Sequence, residues 1–236
     1  VVTRDVTCYV WHEGEGGVTA NEFVSCIVDY LNEHLQYDTF VIYSDGCTYQ
    51  NRNVVLSNAL NDFAKNTGKV VIQKILVRGH TQMEVDSVHA TIERKLKNAS
   101  IYCPAEYTAI MRNARSKPSP YAVKYLDYRF FRDFAKTITI PSIRPGSRVG
   151  DPTVTDIRAL KYEDGSIQYK LKFSDDWQDL PRPRRARQSI AREGQLPPPS
   201  LYQDHRPIND SKYDHLQQLK SVMPADYHAF YDGLRH

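Results

Sequence analysis

The sequence predicts an α/β domain, in which a sheet of buried strands is covered by helices. Strand-like and helix-like segments alternate over roughly the first hundred residues, the order expected of an α/β sheet with covering helices. One of these segments, residues 39–44 (TFVIYS), is continuously apolar, which predicts a strand buried on both faces in a parallel sheet. Hydrophobic residues make up 41% of the 236 residues, so the chain can bury a sizeable core.

Local sequence signals support the predicted helices and strands of residues 6–97. Residues 6–11 (VTCYVW) and 69–77 (KVVIQKILV) are rich in β-branched residues, which favour strands. Thr19 stands three residues before Glu22, the spacing of a capping box at the start of a helix. The predicted order is strand 6–11, helix 19–35, strand 39–44, helix 53–65, strand 69–77 and helix 84–97.

The rest of the chain predicts a looser arrangement. A short helix over residues 104–115 and a short strand over 121–126 come first. A β-hairpin over 156–173, with its turn at Glu163-Asp164-Gly165, is expected to form a two-stranded ribbon outside the main sheet. Residues 181–200, rich in Pro and Arg, are expected to be disordered. The predicted regions are a core (1–135), a hairpin extension (136–180), a linker (181–208) and a C-terminal helical segment (209–236).

The distribution of charge indicates one segment that could contact nucleic acid. The net charge of +3 does not by itself indicate nucleic-acid binding, but arginines crowd into the Pro-rich segment. They predict a phosphate-binding arm or a nuclear address, and a linker that only improves solubility is the alternative. These arginines are Arg182, Arg184, Arg185, Arg187 and Arg192.

Cysteine content and hydropathy argue against several classes of protein. None of the four cysteines forms a CxxC pair, which argues against a zinc ribbon and favours free thiols in a reducing compartment. No apolar run approaches membrane-spanning length, so we expect an intracellular protein without a membrane partner. The chain begins with Val1 inside a strand-like segment, and we therefore expect it to be a fragment.

The first candidate site follows the apolar strand 39–44. Asp45 stands at the carboxyl end of that strand, where open α/β sheets bind ligands. The alternative is structural, because an Asp-Gly pair after a strand is typical of a turn or a helix cap.

The second candidate site opens the helix at residues 84–97. Asp86, His89 and Glu93 are spaced to share one helix face, and His80 precedes the helix. Carboxylates with an imidazole at one sheet edge would suit Mg²⁺ or Mn²⁺. A solvated helix face with an internal His89–Glu93 pair is the alternative. The HExxH spacing of zinc metalloproteases is absent from this segment.

These motifs also carry a family resemblance. The segments IYSDGCTYQNRN and GHTQMEVDSVHATIERKLK, with CYVWHEGEGG upstream and IYCPAEY downstream, resemble an animal domain of unknown function. That domain occurs in proteins derived from DNA transposons and is assigned to the ribonuclease H-like superfamily. The resemblance covers about residues 5–135 and, weakly, the final MPADYHAFYDGL. It implies a ribonuclease H-like sheet that is incomplete at its N-terminus.

The resemblance also implies a chemistry. In such nucleases and transposases, acidic residues hold two metal ions that promote an in-line phosphoryl transfer. By this resemblance Asp45 matches the second acidic ligand and Asp86 the third, with His89 or Glu93 as helpers. His80 is a further candidate metal ligand. The strand that carries the first Asp is expected to precede Val1.

Two functions remain open at this point. The first is a fragment of a transposase- or integrase-like nuclease that acts on DNA in the nucleus with Mg²⁺ or Mn²⁺. The second is a domesticated, inactive module that binds nucleic acid or protein. An Asp in a strand upstream of Val1 would favour the first.

Overall fold

The computed structural model describes residues 4–48, 50–77, 79, 82–181 and 197–236. The chain forms two compact units. We call Val18–Thr81 with Arg132–Leu201 the sheet unit, and Val1–Gly17 with Gln82–Phe131 and Tyr202–His236 the terminal unit.

The described elements confirm the α/β class. The strands are β1 (Thr7–Val10), β2 (Thr39–Ser44), β3 (Val70–Ile75), β4 (Ala122–Tyr125), β5 (Ala159–Glu163), β6 (Ser166–Lys170) and β7 (Gln178–Asp179). The helices are α1 (Ala20–Asn32), α2 (Val54–Thr67), α3 (Glu84–Leu96), α4 (Pro104–Arg112), α5 (Asp210–Leu219) and α6 (His228–Asp232). No described helix has the length and apolar character needed to cross a membrane.

The sheet unit contains a mixed sheet in the order β2-β3-β5-β6-β7. β2 and β3 are parallel, whereas β5 pairs antiparallel to β3, with Ile72 opposite Lys161. The predicted hairpin is therefore confirmed, but its expected position outside the main sheet is wrong. Its alternating apolar residues need a covered face, and pairing β5 with β3 extends the face that already packs on the helices.

The backbone conformation of the hairpin turn follows from the two residues that form it. Glu163 pairs with Ser166, so Asp164 and Gly165 form the two-residue loop. Both have positive φ, 47° and 72°, as a type I′ turn requires. The Asp-Gly dipeptide tolerates this backbone, which explains why the turn was predictable from sequence.

One face of the sheet packs against α1 and α2. Leu160 and Tyr162 are fully buried there, and the Tyr162 hydroxyl donates a hydrogen bond to Ser57 Oγ of α2 (3.1 Å). Burial raises the pKa of the Tyr162 phenol, which stays neutral as a donor. The prediction that β2 is buried on both faces is wrong, because the side chains of Val41 and Tyr43 are exposed. β2 is an edge strand of the sheet, and its second face meets solvent.

The terminal unit has a smaller core. β1 pairs in parallel with β4, which confirms the predicted strand at 121–126. We expected β1 in one sheet with β2 and β3, and this expectation is wrong. Cys8 and Val10 of β1 pack instead into a cluster that contains Ile92 of α3 and Met111 of α4.

Candidate functional site

Asp45 organises the loop that follows β2. Its Oδ1 atom accepts hydrogen bonds from the Cys47 N–H (3.0 Å) and from Asn51 Nδ2 (2.7 Å). These two hydrogen bonds form a turn, which was the structural alternative to a ligand-binding role for Asp45. The loop leads into α2, where Asn53 caps the helix by accepting from the Leu56 N–H (2.9 Å).

Asp86 also makes a local hydrogen bond, at the start of α3. Its Oδ2 atom accepts a hydrogen bond from the Met83 N–H (2.8 Å), one half of a capping box. Met83 stands at the N-cap and offers no side-chain oxygen, so Asp86 provides the polar partner at this helix end. Asp86, His89 and Glu93 are all exposed.

The predicted metal ligands come from both units. Asp45 belongs to the sheet unit, whereas Asp86, His89 and Glu93 belong to the terminal unit. Within the described ranges, no group of three or more His, Cys, Asp or Glu side chains could hold a metal ion. His80 and the predicted arginines Arg182, Arg184, Arg185 and Arg187 lie outside the described residues, as does most of the segment 181–200. The shared metal centre stays a prediction.

Removing the Asp86 carboxylate is expected to destabilise the terminal unit. Asp86→Ala should lower the free energy of unfolding by about 1 kcal/mol, because a lost helix-capping bond costs roughly that amount. Thermal melts in chelator measure the effect. Asp86→Asn is the matched control, since its amide oxygen can still accept the Met83 N–H. An alanine variant that melts at or above the wild-type temperature would instead indicate a crowded carboxylate whose removal relieves repulsion.

A different surface of the sheet unit combines aromatic rings with lysines. It is the sheet face opposite α1 and α2, and we call it the lysine–aromatic face. Tyr43 of β2 is 55% exposed, and the Lys74 ammonium of β3 lies 5.2 Å from its ring centroid. Lys74 Nζ also donates to the Tyr43 hydroxyl (3.3 Å). The defining residues are Tyr43, Lys74, Lys161, Lys170 and Trp177.

The second aromatic ring of this face is Trp177, just before β7. The ammonium groups of Lys170 and Lys161 lie 4.7 Å and 5.7 Å from it. Strand pairing aligns Tyr43, Lys74, Ala159 and Lys170 in one row across neighbouring strands. With strands about 4.8 Å apart, that row spans roughly 14 Å.

The lysine–aromatic face carries the charges of Lys74, Lys161 and Lys170, and strand register also places the carboxylates of Glu163 and Asp179 on it. Lys161 forms an ion pair with Glu163 (3.1 Å). Among the described residues, neither Lys74 nor Lys170 pairs with a carboxylate. Sequence reasoning missed this surface. Alternation within β3 and β6 could have placed each lysine on an outer face, but only the strand order brings those lysines beside the aromatic rings.

Comparison of the chain with protein-family models, with curated proteins and with solved structures found no match. The resemblance to the transposase-derived domain therefore still depends on its sequence motifs alone.

Proposed function

We propose that this chain is a nucleic-acid-binding module that holds single-stranded DNA on the lysine–aromatic face. The observation that carries the proposal is the exposed Tyr43 beside Lys74, together with Trp177 between Lys161 and Lys170. A ribonuclease H-like origin from a transposase is part of the proposal, and it agrees with the expected DNA partner and a nuclear location.

The physical basis is stacking next to positive charge. Bases stack on exposed aromatic side chains with about 1–3 kcal/mol each, whatever their sequence. Lysines bind the phosphates and release counterions, which makes the affinity dependent on salt. In this face each ring has an ammonium group within 6 Å, so a base and its phosphate would be held side by side. Duplex DNA buries its base faces and would lose the stacking contribution.

The metal-dependent nuclease stays a prediction. Both carboxylates assigned to it by resemblance already hold local hydrogen bonds, Asp45 in a loop and Asp86 at a helix end. The binding proposal needs neither carboxylate and no metal. DNA binding by the sheet unit should therefore persist in chelator.

The proposal is tested by fluorescence anisotropy with a labelled oligothymidylate. A length of about 20 nucleotides exceeds the roughly 4–16 that single binding folds cover. Tyr43→Ala and Trp177→Ala should each weaken binding about 10-fold, or ~1.4 kcal/mol. Lys74→Ala and Lys170→Ala should also reduce the slope of affinity against salt. Tyr37→Ala is the matched control, since Tyr37 is an exposed tyrosine that precedes β2.

Three outcomes would contradict the proposal. Unchanged affinity in both aromatic variants would exclude stacking on this face. Equal affinity for a duplex of the same length would indicate a purely electrostatic surface. Binding of an RNA strand but not of the DNA strand would show that the partner class is wrong.

A further inference from the structure

The terminal unit holds a buried carboxylate between two imidazoles. Glu15 is only 8% exposed, and its Oε2 atom accepts a hydrogen bond from the Tyr128 N–H (2.9 Å). Its Oε1 atom lies 3.0 Å from His205 Nδ1 and 3.6 Å from His12 Nε2. The first distance is a hydrogen bond, and the second is too long for one.

The two imidazoles are held in different ways. The carboxylate accepts from His205 Nδ1, so in the neutral ring the lone pair is at Nε2. The His205 side chain is 53% exposed and lines a cleft. In His12 the Gly14 N–H donates to Nδ1 (3.1 Å), and burial lowers the His12 pKa. His12 is therefore a neutral neighbour, and His205 presents the basic atom.

A cleft of about 230 Å³ lies beside this cluster, entirely within the terminal unit. Its lining includes the apolar side chains of Ala229, Phe230 and Leu234 and the cations Arg206 and Arg235. Arg235 pairs with Asp204 (2.6 Å), and Arg206 Nη1 donates to the Glu13 carbonyl (3.1 Å). The cleft thus suits a small, uncharged ligand with an apolar group. Besides His12, Glu15 and His205, it is lined by Gly14, Arg206, Ala229, Phe230, Gly233, Leu234 and Arg235.

We propose that this cleft is a hydrolytic site for small neutral carboxylic esters, with His205 as the general base and Glu15 as its positioning residue. A buried carboxylate that fixes the tautomer of a solvent-facing imidazole is the pairing by which such bases are oriented. The proposal does not depend on nucleic-acid binding, because the lysine–aromatic face belongs to the other unit.

The reaction needs only water and the ester. His205 Nε2 takes a proton as the water oxygen bonds to the carbonyl carbon, and the carbonyl becomes an oxyanion. Arg206, which lines the cleft, supplies the positive charge that stabilises that oxyanion. The carbon–alkoxide bond then breaks, and the imidazolium returns the proton to the leaving alkoxide. The products are an acid and an alcohol, and Glu15 stabilises the transient imidazolium throughout.

The test uses the full chain with 4-nitrophenyl acetate as the probe, in chelator. The wild-type protein should hydrolyse the probe faster than buffer alone does. His205→Gln should lower the rate at least 10-fold, and Glu15→Gln should lower it less. His215→Gln is the matched control, because His215 is an exposed histidine of α5 and should retain the full rate.

A second measurement separates a catalytic site from a merely structural cluster. Long-range proton–nitrogen NMR should show His205 protonated at Nδ1 in the wild type, and a mixture of tautomers in folded Glu15→Gln. The proposal is overturned if His205→Gln hydrolyses as fast as the wild type, or if His215→Gln loses as much activity. It is also overturned if His205 carries its proton at Nε2.

Discussion

Asn58→Ala is expected to lower the free energy of unfolding of the sheet unit by about 3 kcal/mol. Asn58 lies in α2 and is 1% exposed. Its Nδ2 atom donates to the carbonyls of Val54 (2.8 Å) and Ile140 (2.9 Å). Its Oδ1 atom accepts from the N–H groups of Thr139 (2.9 Å) and Ile140 (2.8 Å). The Asn58 side-chain amide therefore links the irregular segment at residues 139–140 to α2, which packs on the sheet.

The size of the effect follows from the number of partners lost. Each hydrogen bond contributes on the order of 1 kcal/mol, and a buried backbone group left without a partner costs about 1–3 kcal/mol. Alanine removes these four bonds and a fifth from the Thr139 hydroxyl (3.2 Å), and it offers no replacement for the amide groups of Ile140, which is half-buried. The segment around Ile140 also contributes apolar contacts to the main core.

Urea unfolding followed by circular dichroism measures the loss. Asn66→Ala is the matched control, since Asn66 belongs to the same helix and is exposed. It should change the free energy of unfolding by less than about 0.5 kcal/mol. Equal midpoints for the two variants would show that solvent replaces the Asn58 bonds.

Local signals were sufficient to predict several features of the fold. The Thr19–Glu22 capping box is present, with the Thr19 N–H donating to Glu22 Oε2 (2.9 Å). The Asp-Gly turn closes the hairpin, with positive φ at both residues. Each depends on residues within a few positions of one another, so the sequence carries the whole cause.

Strand pairing could not be predicted in this way. β1 and β4 are separated by more than a hundred residues, and their pairing depends on how Cys8 and Val10 pack with Ile92. The exposure of Tyr43 likewise depends on which face of β2 the helices cover, and the apolar run does not encode that choice. An apolar run alone cannot distinguish a central strand from an edge strand with an apolar outer face.

The candidate sites likewise include residues that local sequence signals reveal and residues that only the folded chain brings together. Asp45 and Asp86 were identified by their positions in the sequence. The hydrogen bonds of Asp45 agree with the turn considered as its alternative role, whereas the capping bond of Asp86 was not predicted. The Glu15–His205 pair spans 190 positions and has no sequence motif. Only the path of the C-terminal segment brings His205 to the Glu15 loop, and hydrogen bonds hold it there. These include the Arg206 N–H to the Gly14 carbonyl (2.7 Å) and the Gly17 N–H to the Tyr202 hydroxyl (3.1 Å).

Gly16→Ala is expected to destabilise the terminal unit by about 2–3 kcal/mol. A Cβ atom at Gly16 would stand 2.6 Å from Phe131 Cε2 and 3.0 Å from Trp11 Cδ1. Phe131 is fully buried, and its ring meets that of Trp11 edge to face at 5.4 Å. The Trp11 ring is also held by the hydrogen bond that its Nε1 atom donates to the Gly17 carbonyl (2.9 Å). Overpacking of this kind typically costs about 1–3 kcal/mol.

The same substitution should disturb the proposed ester site, because the loop that contains Gly16 also positions Glu15. Denaturation followed by Trp11 fluorescence, in a Trp177→Phe background, reports on the terminal unit alone. Gly46→Ala is the matched control, since its Cβ would come no closer than 3.4 Å to the Arg52 side chain. We expect Gly16→Ala to lose both stability and the Nδ1-protonated tautomer of His205, while Gly46→Ala loses neither. An alanine at position 16 without effect would mean that the Trp11–Phe131 contact does not constrain this loop, and that Glu15 is held by its hydrogen bonds alone.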